Sequence, residues 1–137
     1  EKAPAAVCRK VAEAEEGGEI ELWGDGTALR VYTYVDDLVN GIYCLMQSDE
    51  TRPTNIGSDE IVSVKELAET VMEVANKTLS IKYIDGPVGV KARYHTTEQV
   101  KGLNWEAAIS LKEGIEKTYP WIKSQVKNAK LHITAGS

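Results

Sequence analysis

A chain of 137 residues, 42% hydrophobic and 27% charged, is long enough for one globular domain with its own core. Its net charge of -5 argues against non-specific binding to nucleic acid or to an anionic membrane, since both need a cationic surface. No apolar run approaches the roughly 20 residues that span a bilayer, and no charged-then-apolar leader is present, so a cytoplasmic protein is expected.

In chain order, Pro4 to Glu16 reads as a helix with Ala5, Cys8, Val11 and Ala12 on one face and proline where a missing N–H does no harm. Gly17 and Gly18 end it. EIELW follows as a short strand closed by the turn Gly24-Asp25-Gly26. Leu29 to Val35, rich in β-branched and aromatic residues, predicts a second strand running into a helix from Leu38 to Gln47, capped by Asp36 and Asp37. PTNIGS reads as a brief strand. Ser63 then caps VKELAETVMEVAN, with Glu66 at the capping-box position and Val64, Leu67, Ala68, Val71, Met72 and Ala75 as an apolar stripe.

Leu79 to Ile84 alternates with period two and stops at Asp85-Gly86-Pro87, before the basic loop GVKARYH. Thr97 to Leu103 predicts a short helix. Ser110 caps a last helix from Leu111 to about Lys127, on which Ile115, Tyr119, Ile122 and Val126 share a face. Residues 1–130 are thus expected to form one domain, and 131–137 (LHITAGS) a loose tail or vector remnant.

Common catalytic machinery is missing from this sequence: there is no GxGxxG after a strand, no phosphate-binding P-loop, no GxSxG elbow and no spaced His/Cys/Asp cluster for a metal. The only cysteines, Cys8 and Cys44, fall inside helical patterns and read as reduced core thiols. Tyr119 and Lys123 reproduce a Tyr-x-x-x-Lys spacing. The tyrosine lies on the apolar stripe of the last helix and Pro120 interrupts that helix's ladder, so the pair reads as packing. What remains is a set of cations beside glycine turns: Lys2, Arg9 and Lys10 on or near the first helix, Arg30 after GDG, and Lys91 and Arg93 after DGP. Cations at element edges suit a diphosphate, although Lys and Arg on a solvated face give the same pattern.

Four blocks carry a resemblance over nearly the whole chain: EKAPAAVCRK; LWGDGTALRVYTYVDDLVNGIYCL; PTNIGSDEIVSVKELAE; and IDGPVGVKAR with GLNWEAAISLKEGIEKTYPWIK. They resemble the carboxyl-terminal region of extended short-chain dehydrogenase/reductases acting on nucleotide-sugars. EKAPAA, NIGSDEIVS and the GPVGV-x-x-R loop are similar to the GDP-mannose 3,5-epimerase family within them. The resemblance implies an α/β fold, a C-terminal substrate-binding lobe with remnants of the Rossmann layer. NAD, the Tyr/Lys pair and a catalytic cysteine would belong to an absent amino-terminal half, and no cofactor is expected on this chain alone.

In that family a hexose ketone formed at C4 acidifies the C3 and C5 protons, which side-chain acids and bases then exchange. Carried over by position, Lys2 matches the proton donor and Lys10 a substrate-contacting lysine. Ala28, Leu29 and Arg30 match a nucleotide-contacting stretch, with Arg30 on the diphosphate, and Arg93 matches the arginine closing on it from the far loop. Ala28 stands where the family usually has glutamine, and Val31 where it has serine or aspartate, which bears on base recognition. The implied partners are a GDP-mannose-like nucleotide-sugar and the Rossmann domain, with homo-oligomerisation expected. The alternatives are a stand-alone, non-catalytic nucleotide-sugar-binding or assembly module, and a fold remnant with no ligand.

Overall fold

The computed structural model describes residues 2–87 and 89–135, the last four as backbone alone; Gly136 and Ser137 of the expected tail lie outside the described residues. Ten elements follow in order: α1 (Ala3–Glu13), β1 (Glu19–Trp23), β2 (Leu29–Val31), α2 (Val35–Met46), β3 (Ile61–Ser63), α3 (Val64–Ala75), β4 (Ser80–Ile84), β5 (Ala92–Arg93), α4 (Glu98–Lys101) and α5 (Leu111–Ala135).

The core is a seam where α1, α3 and α5 pack on one another over β1. Each helix gives it the face that its periodicity marks. Cys8 and Val11 from α1, and Leu67 and Val71 from α3, are wholly buried, while Ile115, Tyr119 and Ile122 close the seam from α5. Tyr119 is thus a packing residue. Burial pushes its phenol and the Cys8 thiol up, the thiol to about 11, so Cys8 is an inert core group. β1 alternates in the same sense, burying Ile20 and Leu22 and exposing Glu19, Glu21 and Trp23.

The strands form two sheets. β1 pairs in parallel with β4, Ile20 opposite Ile81, while β2 stands between antiparallel β3 and parallel β5. The GDG turn separates them: Gly24 and Gly26 both adopt positive φ, bending the chain out of the β1 plane before β2 begins. PTNIGS is irregular rather than a strand, and the strand lies just beyond it at β3. Gly57 packs against His95 and Thr33, so the segment is held by side chains and not by a ladder.

Helix limits also differ from the pattern, α2 and α5 among them. α2 begins at Val35 with Tyr34 at its N-cap, and Asp36 and Asp37 fall inside its first turn. Asp37 is buried and accepts the backbone N–H groups of Ala108 and Ile109 at 3.1 and 2.8 Å, which ties α2 to the approach to α5. α5 continues to Ala135 past the expected end at Lys127; residues 127–131 are all exposed, a stretch in which good helix formers extend the helix. The Ser63–Glu66 capping box forms as predicted, with reciprocal bonds of 3.1 and 2.6 Å.

α1 has no glycine stop at Ala14, so its final carbonyls need another donor. Lys77 supplies it. After Asn76 turns α3 off in the left-handed region, the Lys77 ammonium donates to the carbonyls of Val11, Ala12 and Ala14 at 2.7, 3.3 and 2.5 Å. Burial, then the charge of Lys123, lowers its pKa. Directly beyond it, Gly17 N–H donates to Thr78 O and Ser80 N–H to Gly18 O, which sets the register of β1 on β4. Lys77→Met keeps the chain length but strands those carbonyls, so chemical denaturation should show a loss of about 1–3 kcal/mol at unchanged m-value. Unaltered stability would mean that water replaces the ammonium at no cost.

Candidate functional site

A cavity of about 430 Å³ opens between α1 and the β1–β2 corner. Lys10 and Arg9 reach it from α1, Leu22 and Trp23 from β1, and Ala28, Arg30 and Tyr32 from β2 and its extension. Ala28, Arg30 and Tyr32 are two apart and so share one side of an extended chain. Leu29 alternates to the other side, is exposed, and is not among the lining residues. A neighbouring cavity of about 450 Å³ is lined by Lys2, Thr33, Tyr34 and the start of α5, and Ala3 and Tyr32 border both.

The cations are held by backbone oxygens. Lys10 Nζ donates to Glu21 O at 2.6 Å, bracing α1 against β1 and leaving two N–H donors free of that bond. Arg30 donates through Nη1 to Leu29 O at 2.7 Å and through Nη2 to Val90 O at 2.9 Å, so one of its five donors turns back onto β2 and another links β2 to the loop before β5. Arg93 is the register partner of Arg30 on β5; it is exposed and does not line the cavity. Lys2 sits at the N-cap of α1 without a side-chain cap bond. The structure therefore gathers Lys10, Ala28 and Arg30 at one cavity, puts Lys2 at the next, and leaves Leu29 and Arg93 outside both.

The walls are firm. In the GDG turn Asp25 accepts the Thr27 hydroxyl at 2.6 Å and the Thr27 N–H at 2.9 Å, and these bonds hold its carboxyl below the usual range. A Cβ on Gly26 would lie 2.7 Å from Tyr83 Cε1, and Gly26 has φ +77°, so the close approach and the turn both require glycine. A Cβ on Gly86 would lie 2.7 Å from Trp23 Cγ: the DGP turn lies flat against the indole.

Two lining residues escape sequence reasoning. Tyr32 was visible only as part of a strand, yet its hydroxyl is buried without a hydrogen-bond partner and burial pushes the phenol up, partly offset by Arg30. The signal was its spacing two beyond Arg30. Trp23, 56% exposed at the end of β1, was visible as a strand aromatic, and only the fold shows it standing at the cavity mouth beside Pro87.

A separate cleft of about 360 Å³ is lined by Ser58, Asp59, Thr97, Lys101 and Trp105. There Lys101, then Thr97, holds the Asp59 carboxyl low, a brace between α4 and the 57–60 segment. Among the described residues no group of His, Cys, Asp and Glu could hold a metal ion, and no helix is long and apolar enough to cross a membrane.

Residues 1–57 match the NAD dependent epimerase/dehydratase family. Over 131 residues, 95% of this chain, the sequence is 44% identical to GDP-mannose 3,5-epimerase of Arabidopsis thaliana, of which that stretch is 34%. Among solved structures, UDP-glucose 4-epimerase of Thermotoga maritima, determined with UDP-glucose, superposes with a TM-score of 0.76 at 25% identity, covering 91% of this chain and 40% of that one. UDP-glucuronic acid 4-epimerase of Bacillus cereus, determined with UDP-glucuronic acid and NAD, gives 0.80 at 22% identity over the same shares and speaks to the fold alone. The chain spans about a third of the length of the curated relatives it matches.

Proposed function

We propose that this chain, a stretch of the NAD dependent epimerase/dehydratase family similar to GDP-mannose 3,5-epimerase, is the lobe that holds the nucleotide-sugar while the rest of the enzyme performs the redox step. The observation that carries this reading is the cavity into which α1 and β2 bring Lys10, Ala28 and Arg30 together, with Lys2 at its neighbour. Arg30 and Arg93 meet the diphosphate, Lys10 the sugar side, and Trp23 offers an aromatic face to the base. Lys2 gives a proton to the hexose carbon in the complete enzyme. Ala28 lacks the amide that the family usually places there, so the base is read by backbone groups and stacking.

The residues present do not suit NAD. A dinucleotide needs a glycine-rich turn opening onto a free helix N-terminus. Here Glu66 occupies the start of α3 and Glu113, bonded to Ser110, the start of α5, while Asp36 and Asp37 fill the first turn of α2. NAD is therefore held by the part of the enzyme outside this chain, and the purified chain should carry none; stoichiometric NAD released on denaturation would refute this.

The exposed face of α2, with Leu38, Val39, Ile42, Tyr43 and Met46 all accessible, is the surface that the rest of the enzyme covers. Left bare, it should drive homo-oligomerisation. Sedimentation of the chain should show association that rises with concentration, and a strict monomer at high concentration would count against it.

A diphosphate keeps its charge throughout the reaction, so its arginines contribute uniform binding, whereas a proton donor acts only as the transition state forms. Arg30→Ala and Arg93→Ala should each weaken GDP-mannose binding about ten- to a hundredfold, the worth of a charge-assisted contact of about 1.5–3 kcal/mol. Lys2→Ala should act on turnover of the complete enzyme. Calorimetric titration of GDP-mannose into the wild type and both arginine variants tests the assignment, and equal affinity in all three would remove these residues from the site. A stand-alone module would bind equally well but have no redox domain encoded upstream.

A further inference from the structure

We propose that the GDG and DGP turns enclose a guanine pocket, in which the Asp85 carboxylate accepts the N1–H and 2-amino group of the base while the Lys91 ammonium donates to O6. This rests on the nucleotide-sugar reading and adds two side chains to the stacking and backbone contacts given above.

The two turns face each other across a cleft of about 660 Å³, a size common among small-ligand sites. Backbone bonds clamp it at both ends: Gly24 N–H donates to Ile84 O at 2.9 Å, and Leu29 N–H donates to Lys91 O at 2.8 Å. Other lining groups are already engaged. Tyr83 lies on Gly26, where a Cβ would come within 2.7 Å of the ring. The Asp25 carboxylate takes the Thr27 hydroxyl and N–H at 2.6 and 2.9 Å, bonds that hold it low ahead of the charge of Lys91. Asp85 and Lys91 also line the cleft, and neither side chain has a hydrogen bond or ion pair among the described residues. A carboxylate only accepts and an ammonium only donates. Guanine presents two adjacent N–H donors beside the O6 acceptor, which matches that pair; adenine carries an amino donor where guanine has O6, and uracil has no 2-amino group. The pocket joins the phosphate site at Ala28, a buried residue that lines both this cleft and the cavity of Arg30. Its side chain is a single methyl, so a nucleotide with its phosphates at Arg30 passes Ala28 to put its base between the turns.

Inosine diphosphate differs from GDP only in lacking the 2-amino group, which makes the pair a direct probe in calorimetric titration of residues 1–137. The wild type should bind GDP about ten- to a hundredfold tighter than inosine diphosphate, the worth of a charge-assisted hydrogen bond. Asp85→Asn should weaken GDP and bring the two ligands to equal affinity. Lys91→Met should weaken both alike, since both carry O6, and leave their ratio as in the wild type. Both residues are exposed, so neither variant should shift the melting temperature; a fall in it that accompanies the loss of GDP would make the role structural and overturn the proposal. Equal binding of GDP and inosine diphosphate by the wild type overturns the pocket, as does a ratio that survives Asp85→Asn. UDP bound as tightly as GDP also overturns it, and each of these results leaves the diphosphate reading standing. If GDP, UDP and inorganic pyrophosphate all fail to bind, the diphosphate reading falls and the pocket falls with it.

Discussion

The ammonium of Lys77 on the last carbonyls of α1 is the junction from which the rest of the molecule is laid out. A helix that ends without a left-handed residue leaves acceptors exposed to competition from water. By drawing three of them onto one side chain, the turn after α3 fixes where α1 stops and the direction in which the chain leaves it. The next bonds, between Gly17 and Thr78 and between Gly18 and Ser80, start the β1–β4 ladder with no slack. Register in a parallel pair decides which residues enter the core. Ile20 and Leu22 face inward, and Trp23 stands at the cavity mouth, because that first pairing is set.

The site follows from the same placement. α1 lies over the β1–β2 corner with its Lys10 pinned to Glu21, so its amino-terminal end, carrying Lys2, must pass the β2 extension near Tyr32. Two cavities then share a wall, one bordered by Lys10 and Arg30 and the other by Lys2. Rigid elements supply the first set, while Arg93 comes from two strand residues on a basic loop.

Much of this was legible in the sequence, because local chemistry settled it. Ser63 and Glu66 announce the start of α3, and the spacing of Leu67, Val71 and Met72 announces its buried face, since capping and periodicity need no distant partner. Resemblance of whole blocks supplied what composition could not, the likeness to nucleotide-sugar enzymes. Misreadings occurred where a distant residue decides. Asp37 was read as a cap but is drawn inside α2 by two amides from residues 108–109. PTNIGS has the pattern of a strand, but the His95 side chain packs on Gly57 and the Asn55 amide donates to the Thr96 carbonyl, 38 and 41 residues away, where a ladder was expected. The division into two sheets depends on the GDG turn's geometry, and the cavity's aromatic members depend on how β1 and β2 diverge. Trp23 therefore carried no local mark of its place, and Tyr32 only its spacing from Arg30.

The long segment 48–60 between α2 and β3 contains no helix or strand, and much of it is exposed, yet both sheets and the packing of α1 on α3 and α5 are ties that cross it. β1 binds β4, β2 binds β3, and α1 packs on α3 and α5, so each half of the chain contributes what the other lacks. A backbone cut there would sever no core contact and would divide the lobe into two complementary peptides, neither of which owns a complete sheet or helical seam. Their reunion would be bimolecular, and the lobe would then exist only above a threshold concentration, as two halves of a reconstituted protein do.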